Sequence, residues 1–228
     1  MTGEKQGRVL GVDGCPGGWV GALVEDGEVR WSVLPDVAAL LAVAASCDAT
    51  GVDMPIGLAP AGPRRCDVEA RKLLGPRRSS VFAAPIRPVL GAASYAEACA
   101  VSRAASGRAL SLQAWHLVPR IADLDATLPD GGLEWLAEVH PELSFATMAG
   151  APLPGKKTAE GRSARIGLLA SWLPDLLLHE VPRPARTEDA LDALAVAWTA
   201  LRWWRGVAST VPDPYDLDER GLPMRIVT

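Results

Sequence analysis

Two aspartates in this sequence close the same triplet, Gly11-Val12-Asp13 and Gly51-Val52-Asp53, each at the end of a short apolar run. Such a run reads as a buried strand, and a carboxylate at its end is costly unless it binds something. Met54-Pro55 follows the second triplet and stops the strand there. A third acidic element lies in the alanine- and leucine-rich stretch from Arg186 to Arg202, which reads as a long helix. Asp189 and Asp192 are three residues apart in it, so both carboxylates share one helix face. Carboxylates offered by two strand ends and one helix are hard oxygen ligands suited to Mg²⁺ or Mn²⁺. Asp192 is expected as the primary ligand, with Asp189 as a second ligand or water-binding group. Asp189 lies in the first turn after Thr187, where capping and the helix dipole already favour an acid. Turn chemistry is also open to Asp13 and Asp53, because aspartate bonds readily to nearby backbone N–H groups.

Glu138, His140 and Glu142 surround a second strand stop at Pro141. Glu138 would share a strand face with His140 and could add a carboxylate to the site. Glu142 after Pro141 reads as an ordinary first helical turn, and His140 is either a general base or a satisfied polar residue. Elsewhere, Arg64, Arg65, Arg71, Lys72, Arg77, Arg78 and Arg87 place seven cations in 24 residues of an otherwise acidic chain. With glycines, prolines and Ser79-Ser80 interleaved, the stretch suits phosphate oxygens, and Arg71, Arg77, Arg78, Ser79 and Arg87 are the expected phosphate contacts. Lys157, beside Lys156 and Gly155 in a loop, is expected to add to them. The alternative is a solvated, partly ion-paired surface. Trp115 and Trp135 have rings able to stack on bases, though packing is the commoner use of tryptophan.

The elements that must hold these groups are legible in outline. Residues 8–13, 18–25 and 28–34 read as three strands, the last two joined by Asp26-Gly27, a two-residue hairpin signal. Residues 35–45 have helical composition and lead into a strand at 49–53, which makes a crossover into a parallel neighbour. From about 56 to 133 the chain turns proline- and arginine-rich, with helices near 66–74, 94–106 and 113–126, and reads as an insertion or lid. A strand returns at 133–140, followed by helices near 160–173 and 187–205, and the tail from 211 reads as mostly irregular. The expected organisation is a single α/β domain over 1–228 carrying that insertion.

Composition narrows the partners. The net charge is −4, from 23 basic and 27 acidic residues, which argues against indiscriminate nucleic-acid coating while leaving room for a local basic patch. Apolar runs fall well short of the roughly 20 residues needed to cross a bilayer. No apolar signal region opens the chain, and its four cysteines show no C-x-x-C pair, so a reduced cytoplasmic setting without membrane contact is expected. The sequence does not specify an oligomeric state, and a homodimer stays open.

Three strands in a meander, a helix, a fourth strand, a later strand and a final acid-bearing helix give the order of an RNase H-like fold, with a mixed sheet flanked by helices. The chain resembles the RNase H-like proteins grouped as domain of unknown function 429, which are described as predicted nucleases related to the RuvC and YqgF groups. The matching motifs are Gly11–Trp19, Val52–Gly57, Cys66–Arg71 continuing to Ser79–Phe82, Glu138–Glu142 and Asp189–Asp192, in order along nearly the whole chain. The resemblance implies two divalent ions, Mg²⁺ or Mn²⁺, held between a first-strand aspartate, a fourth-strand acid and a last-helix acid, here Asp13, Asp53 and Asp192. It implies a metal-dependent nuclease acting on nucleic acid. Two other functions fit the same order: a phosphotransferase of the actin and sugar-kinase type, which needs a second such domain, and a non-catalytic binding protein.

Overall fold

The computed structural model describes residues 7–228, and these fall into two compact units. The first comprises the residues up to Met54 together with Glu134–Ser209 and Val227–Thr228, and the second comprises Pro55–Leu133 and Thr210–Ile226. Each is described by itself.

The first unit is built on a five-stranded mixed sheet. Val9–Cys15 (β1), Gly18–Glu25 (β2) and Glu28–Leu34 (β3) form an antiparallel meander. Asp26 and Gly27 join β2 to β3 with φ of 52° and 81°, the two left-handed residues that a tight hairpin turn requires. Val37–Ala44 (α1), capped by the Asp36 carboxylate on the Ala39 N–H, carries the chain over to Ala49–Val52 (β4), which pairs parallel with β1. Leu136–Glu138 (β5) then pairs parallel with β4, giving the order β3-β2-β1-β4-β5. The expected strand at 133–140 shortens to these three residues. Its partner β4 has only four, which limits how far the ladder can run.

Register explains the repeated triplet. Gly11 lies directly beside Gly51, and Val12 beside Val52, so Asp13 and Asp53 leave adjacent strands side by side. The ladder continues as the Asp53 N–H donates to the Val12 carbonyl at 2.9 Å. The glycines meet the helix Thr187–Trp204 (the last, α7, after Pro141–Ala149 and Ala159–Trp172, α5 and α6). A Cβ at Gly11 would stand 2.0 Å from the Ala193 carbonyl oxygen, and one at Gly51 would stand 2.6 Å from a Val196 methyl. Two glycines on neighbouring strands thus let the backbone of α7 lie almost on the sheet. The small side chains Ala193, Ala197 and Ala200 suit that approach, and all three are fully buried. Behind them Phe145, Leu169, Leu173 and Leu191 fill the space between α5, α6 and α7.

The second unit holds Arg65–Leu73 (α2), Tyr95–Ser106 (α3) and Leu112–Thr127 (α4), with 3₁₀ turns at Gly75–Ser80 and Arg87–Gly91. Its three helices match the expected positions to within a residue or two. Ser94 and Ser111 cap α3 and α4 by accepting from the Glu97 and Ala114 N–H groups. Ile86, Val89, Ala98, Leu110 and Val118 form its core. The tail is not irregular: Thr210–Leu217 (β6) and Pro223–Val227 (β7) form a two-stranded sheet. Pro212 and Pro214 are tolerated in β6 because in a two-stranded ribbon each strand has a free edge, where a missing N–H costs no ladder bond. Among the described residues no helix is long and apolar enough to cross a membrane.

Candidate functional site

Asp13 lies in β1, Asp53 is the residue that follows β4, and Asp192 stands in the second turn of α7. The glycine floor described above brings the helix down to the strand ends, and the three carboxylates gather although they are 40 and 139 residues apart in sequence. The Asp13 and Asp53 carboxyls lie close enough for each to shift the ionisation of the other. Asp13 also accepts from the Gly14 N–H at 2.7 Å, so the turn-capping role open to it is filled by the same side chain. Glu138, buried in β5, adds its charge to that felt by Asp53.

The electrostatic result is a cluster that resists ionisation. Burial, followed by the charges of Asp53 and Asp192, pushes the Asp13 carboxyl well above the usual carboxylate range. Burial and then Asp192 push Asp53 from 3.8 up to about 8, against the opposing pull of Lys156. Asp192 is raised by burial, in spite of the Lys156 ammonium bound to it. Lys156 is itself held charged: burial would lower its pKa, but Asp192, Asp13 and Asp53 outweigh that and raise it.

Lys156 is the residue that the sequence placed only in a phosphate-facing loop. Its Nζ donates to Asp192 Oδ2 at 2.7 Å. The loop that carries it is anchored by Arg165 of α6, whose Nη1 donates to the Pro154 carbonyl at 2.9 Å and the Gly161 carbonyl at 2.8 Å. The same guanidinium bonds Glu142 at 2.7 Å and lies over the Phe145 ring, 5.2 Å from its centroid. Glu142 is therefore a structural partner, as its place after Pro141 implied. His140 precedes α5, and its carbonyl accepts from the Leu143 and Ser144 N–H groups. A lysine in a Pro-Gly loop carried no spacing signal tying it to an acid 36 residues later, which is why sequence reasoning missed the pair.

Asp189 takes a capping position. Its Oδ2 accepts from the Arg186 N–H at 2.9 Å, so Arg186, not Thr187, precedes the helix, and Asp189 satisfies the helix start. Its charge still reaches Asp13 as a minor contribution. Among the described residues no three His, Cys, Asp or Glu side chains form a ready ligand cage. Asp192 bonds Lys156, so the third carboxylate is turned to the lysine. The donor set nonetheless fits a hard divalent cation: all its atoms are carboxylate oxygens, and their raised pKa values mark negative charge that burial leaves under-compensated.

The expected phosphate contacts separate in the structure. Arg71 and Ser79 line one cavity of the second unit, with Arg77 and exposed Arg78 in the adjoining 3₁₀ turn. Lys157 is exposed in the loop of the first unit. Arg87 does not face solvent phosphate: its guanidinium bonds Asp125 at 2.8 and 2.9 Å and also Asp218. A guanidinium enclosed by carboxylates has its donors already used, and nothing in the local sequence names partners 38 and 131 residues away. Trp115 packs on the core of the second unit and lies tilted against Tyr95, 6.1 Å between centroids.

Sheet and site together define a mixed α/β protein whose acids converge where two parallel strands end beneath a helix. The chain belongs to the DUF429 family, whose model, described as a protein of unknown function, matches residues 11–216. No curated protein and no solved structure matches it.

Proposed function

We propose that the chain is a divalent-cation-dependent phosphodiesterase acting on nucleic acid, with an RNase H-like core in its first unit. The observation that carries this reading is the gathering of Asp13, Asp53 and Asp192 from β1, the end of β4 and α7, with their carboxyl pKa values raised. The sheet order β3-β2-β1-β4-β5 and a last helix bearing the third acid support the same reading.

In this account Asp13, Asp53 and Asp192 hold Mg²⁺ or Mn²⁺, with Glu138 beside them. The cation, when bound, supplies charge neutralisation for the phosphodiester and a more acidic water as nucleophile. The chain's own residues then have defined tasks. Asp13 and Asp53 would give up the proton that burial and the neighbouring acids retain. Lys156 leaves Asp192 and presents its ammonium to a phosphate oxygen. Asp189 holds the start of α7, and with it the approach of Asp192. Lys157 of the same unit contributes a phosphate contact that orients the strand without reading its sequence, and Arg71, Arg77, Arg78 and Ser79 offer phosphate contacts of their own in the second unit.

A second reading has one observation in its favour. The Lys156–Asp192 bond supplies a cation from the chain itself, as a non-catalytic RNase H-like binding protein would. Cleavage of labelled single- and double-stranded DNA and RNA in millimolar Mn²⁺ or Mg²⁺ separates the two. The nuclease reading expects cutting by the wild type and a loss of about a hundredfold or more in Asp53→Asn, as for removal of a charge that acts in the transition state. Binding without cutting in either metal, with Asp53→Asn unchanged, establishes the second reading.

A further inference from the structure

The second unit contains a half-open cavity of about 540 Å³ that the carboxylate chemistry does not use. Its volume lies within the roughly 300–1,000 Å³ typical of small-molecule sites. We propose that it binds a single nucleoside phosphate unit, with Arg71 and Arg108 on the phosphate and the apolar wall on the base. The inference goes beyond the nuclease reading and does not require the carboxylates to cut.

The argument rests on which polar groups at the cavity are committed and which are not. Arg71, in the last turn of α2, and Arg108, between α3 and α4, come to one cavity from 37 residues apart. Neither has an ion-pair partner among the described residues, whereas Arg64, Arg65, Arg87 and Arg220 of the same unit are each paired with an aspartate. No carboxylate is among the residues that line the cavity. Three serines there are already engaged: Ser102 donates to the Arg108 carbonyl, Ser106 accepts from the Gly62 N–H, and Ser111 caps α4. Ser79 and the Gln113 amide remain as uncommitted hydrogen-bonding groups.

Charge and shape then choose the ligand class. Two guanidiniums without a carboxylate exclude a metal or amine and select an anion. A bare inorganic anion would leave uncovered the apolar wall, where half-buried Phe82 stands beside the buried Val81, Ile86 and Leu110. A ligand with a phosphate at one end and a flat, largely apolar ring at the other satisfies both parts, and the Gln113 amide can donate to and accept from a ring edge. A nucleoside monophosphate has these features, either free or as the phosphorylated end of a strand.

Calorimetric titration of the full chain with adenosine 5′-monophosphate, adenosine and inorganic phosphate tests this. The monophosphate should bind, with adenosine and phosphate each about tenfold or more weaker, because each offers only half of the contact set. Arg108→Gln and Gln113→Glu should each weaken the monophosphate about tenfold or more, the first by removing a charge-assisted bond and the second by adding a repelling carboxylate. Both positions are exposed, so either variant should fold, and the second stands if the first does not. Arg103→Gln, on α3 and outside the cavity lining, should bind as the wild type. A 5′-phosphorylated oligonucleotide that competes with the monophosphate assigns the site to strand ends, and one that does not assigns it to free nucleotide. Absence of monophosphate binding, phosphate alone binding as tightly, or indifference to both variants overturns the proposal. A rise in melting temperature in Mn²⁺, expected where the carboxylates take a cation, reports on them separately, so failure of this pocket and failure of the nuclease reading give different results.

Discussion

Both units bury aspartates, and they treat them in opposite ways. In the second unit, Asp218 accepts from the N–H groups of Leu58, Arg220 and Leu222 and from the Arg87 guanidinium. Burial alone would raise its pKa, but the bonds from Leu58, Leu222, Arg87 and Arg220 outweigh it and hold the carboxyl below 3.8. Asp125 lies in the same network, bonded to Arg87 and within 3.3 Å of Arg220. In the first unit, Asp13, Asp53 and Asp192 have one ammonium between them, and all three are raised. Asp192 and Asp218 are buried to a similar degree, and their partners differ. A buried acid supplied with donors tightens a fold, whereas acids buried against one another keep unspent affinity for a cation or a proton.

The contrast breaks most sharply at Arg87. Arg87→Met leaves Asp125 and Asp218 without their shared cation, and the second unit should lose about 3 kcal/mol, seen as a lower urea midpoint at unchanged slope. A variant that kept its stability but lost nucleic-acid affinity would return Arg87 to the phosphate-contact role that the sequence suggested.

The first unit should respond to pH in the sense opposite to an ordinary salt-bridged acid. Asp53 stands at about 8 in the fold against 3.8 in the unfolded chain, so the folded state keeps a proton that the unfolded state has lost. The stability this gives is fully present below 3.8 and disappears as pH rises through about 8. The metal-free melting temperature should therefore fall across that interval, and Asp53→Asn should flatten the fall and melt higher at its alkaline end. Equal pH profiles for the two proteins would show that Asp53 is not frustrated.

Lys156 should give the smallest effect on stability. Its side chain is 45% exposed, so solvent screens the bond to Asp192, and Lys156→Gln should cost about 1 kcal/mol without metal. The same change frees Asp192 and should enlarge the melting-temperature rise in Mn²⁺. An unchanged metal response would remove Asp192 from the ligand set.

What the sequence could reveal depended on whether the determining partner was local. The hairpin at Asp26-Gly27, the crossover through residues 35–45 and the periodic helices follow from neighbours a few residues apart, and each appears near its expected bounds. The acids Asp13, Asp53 and Asp192 were legible because strand ends and a helix face restrict where a carboxylate can point. The triplets hid a second message: Gly11 and Gly51 are there for the close approach of α7, which only the parallel register reveals. Long-range pairing was beyond reach. The Arg87 network, the Lys156–Asp192 bond and the ribbon of β6 with β7 all join residues whose local context suggested something else: a phosphate patch, a loop and a frayed tail.

The central claim is that Asp13, Asp53 and Asp192 hold a cation in place of a proton. Calorimetric titration of Mn²⁺ into the wild type and into Asp53→Asn near neutral pH, repeated in two buffers of different ionisation heat, tests it most directly. Because Asp53 titrates at about 8, the wild type should bind Mn²⁺ and release roughly one proton as it does so, while Asp53→Asn binds far more weakly and releases less. Wild type that takes up no Mn²⁺, or binds it with the same affinity and proton count as Asp53→Asn, would contradict the account.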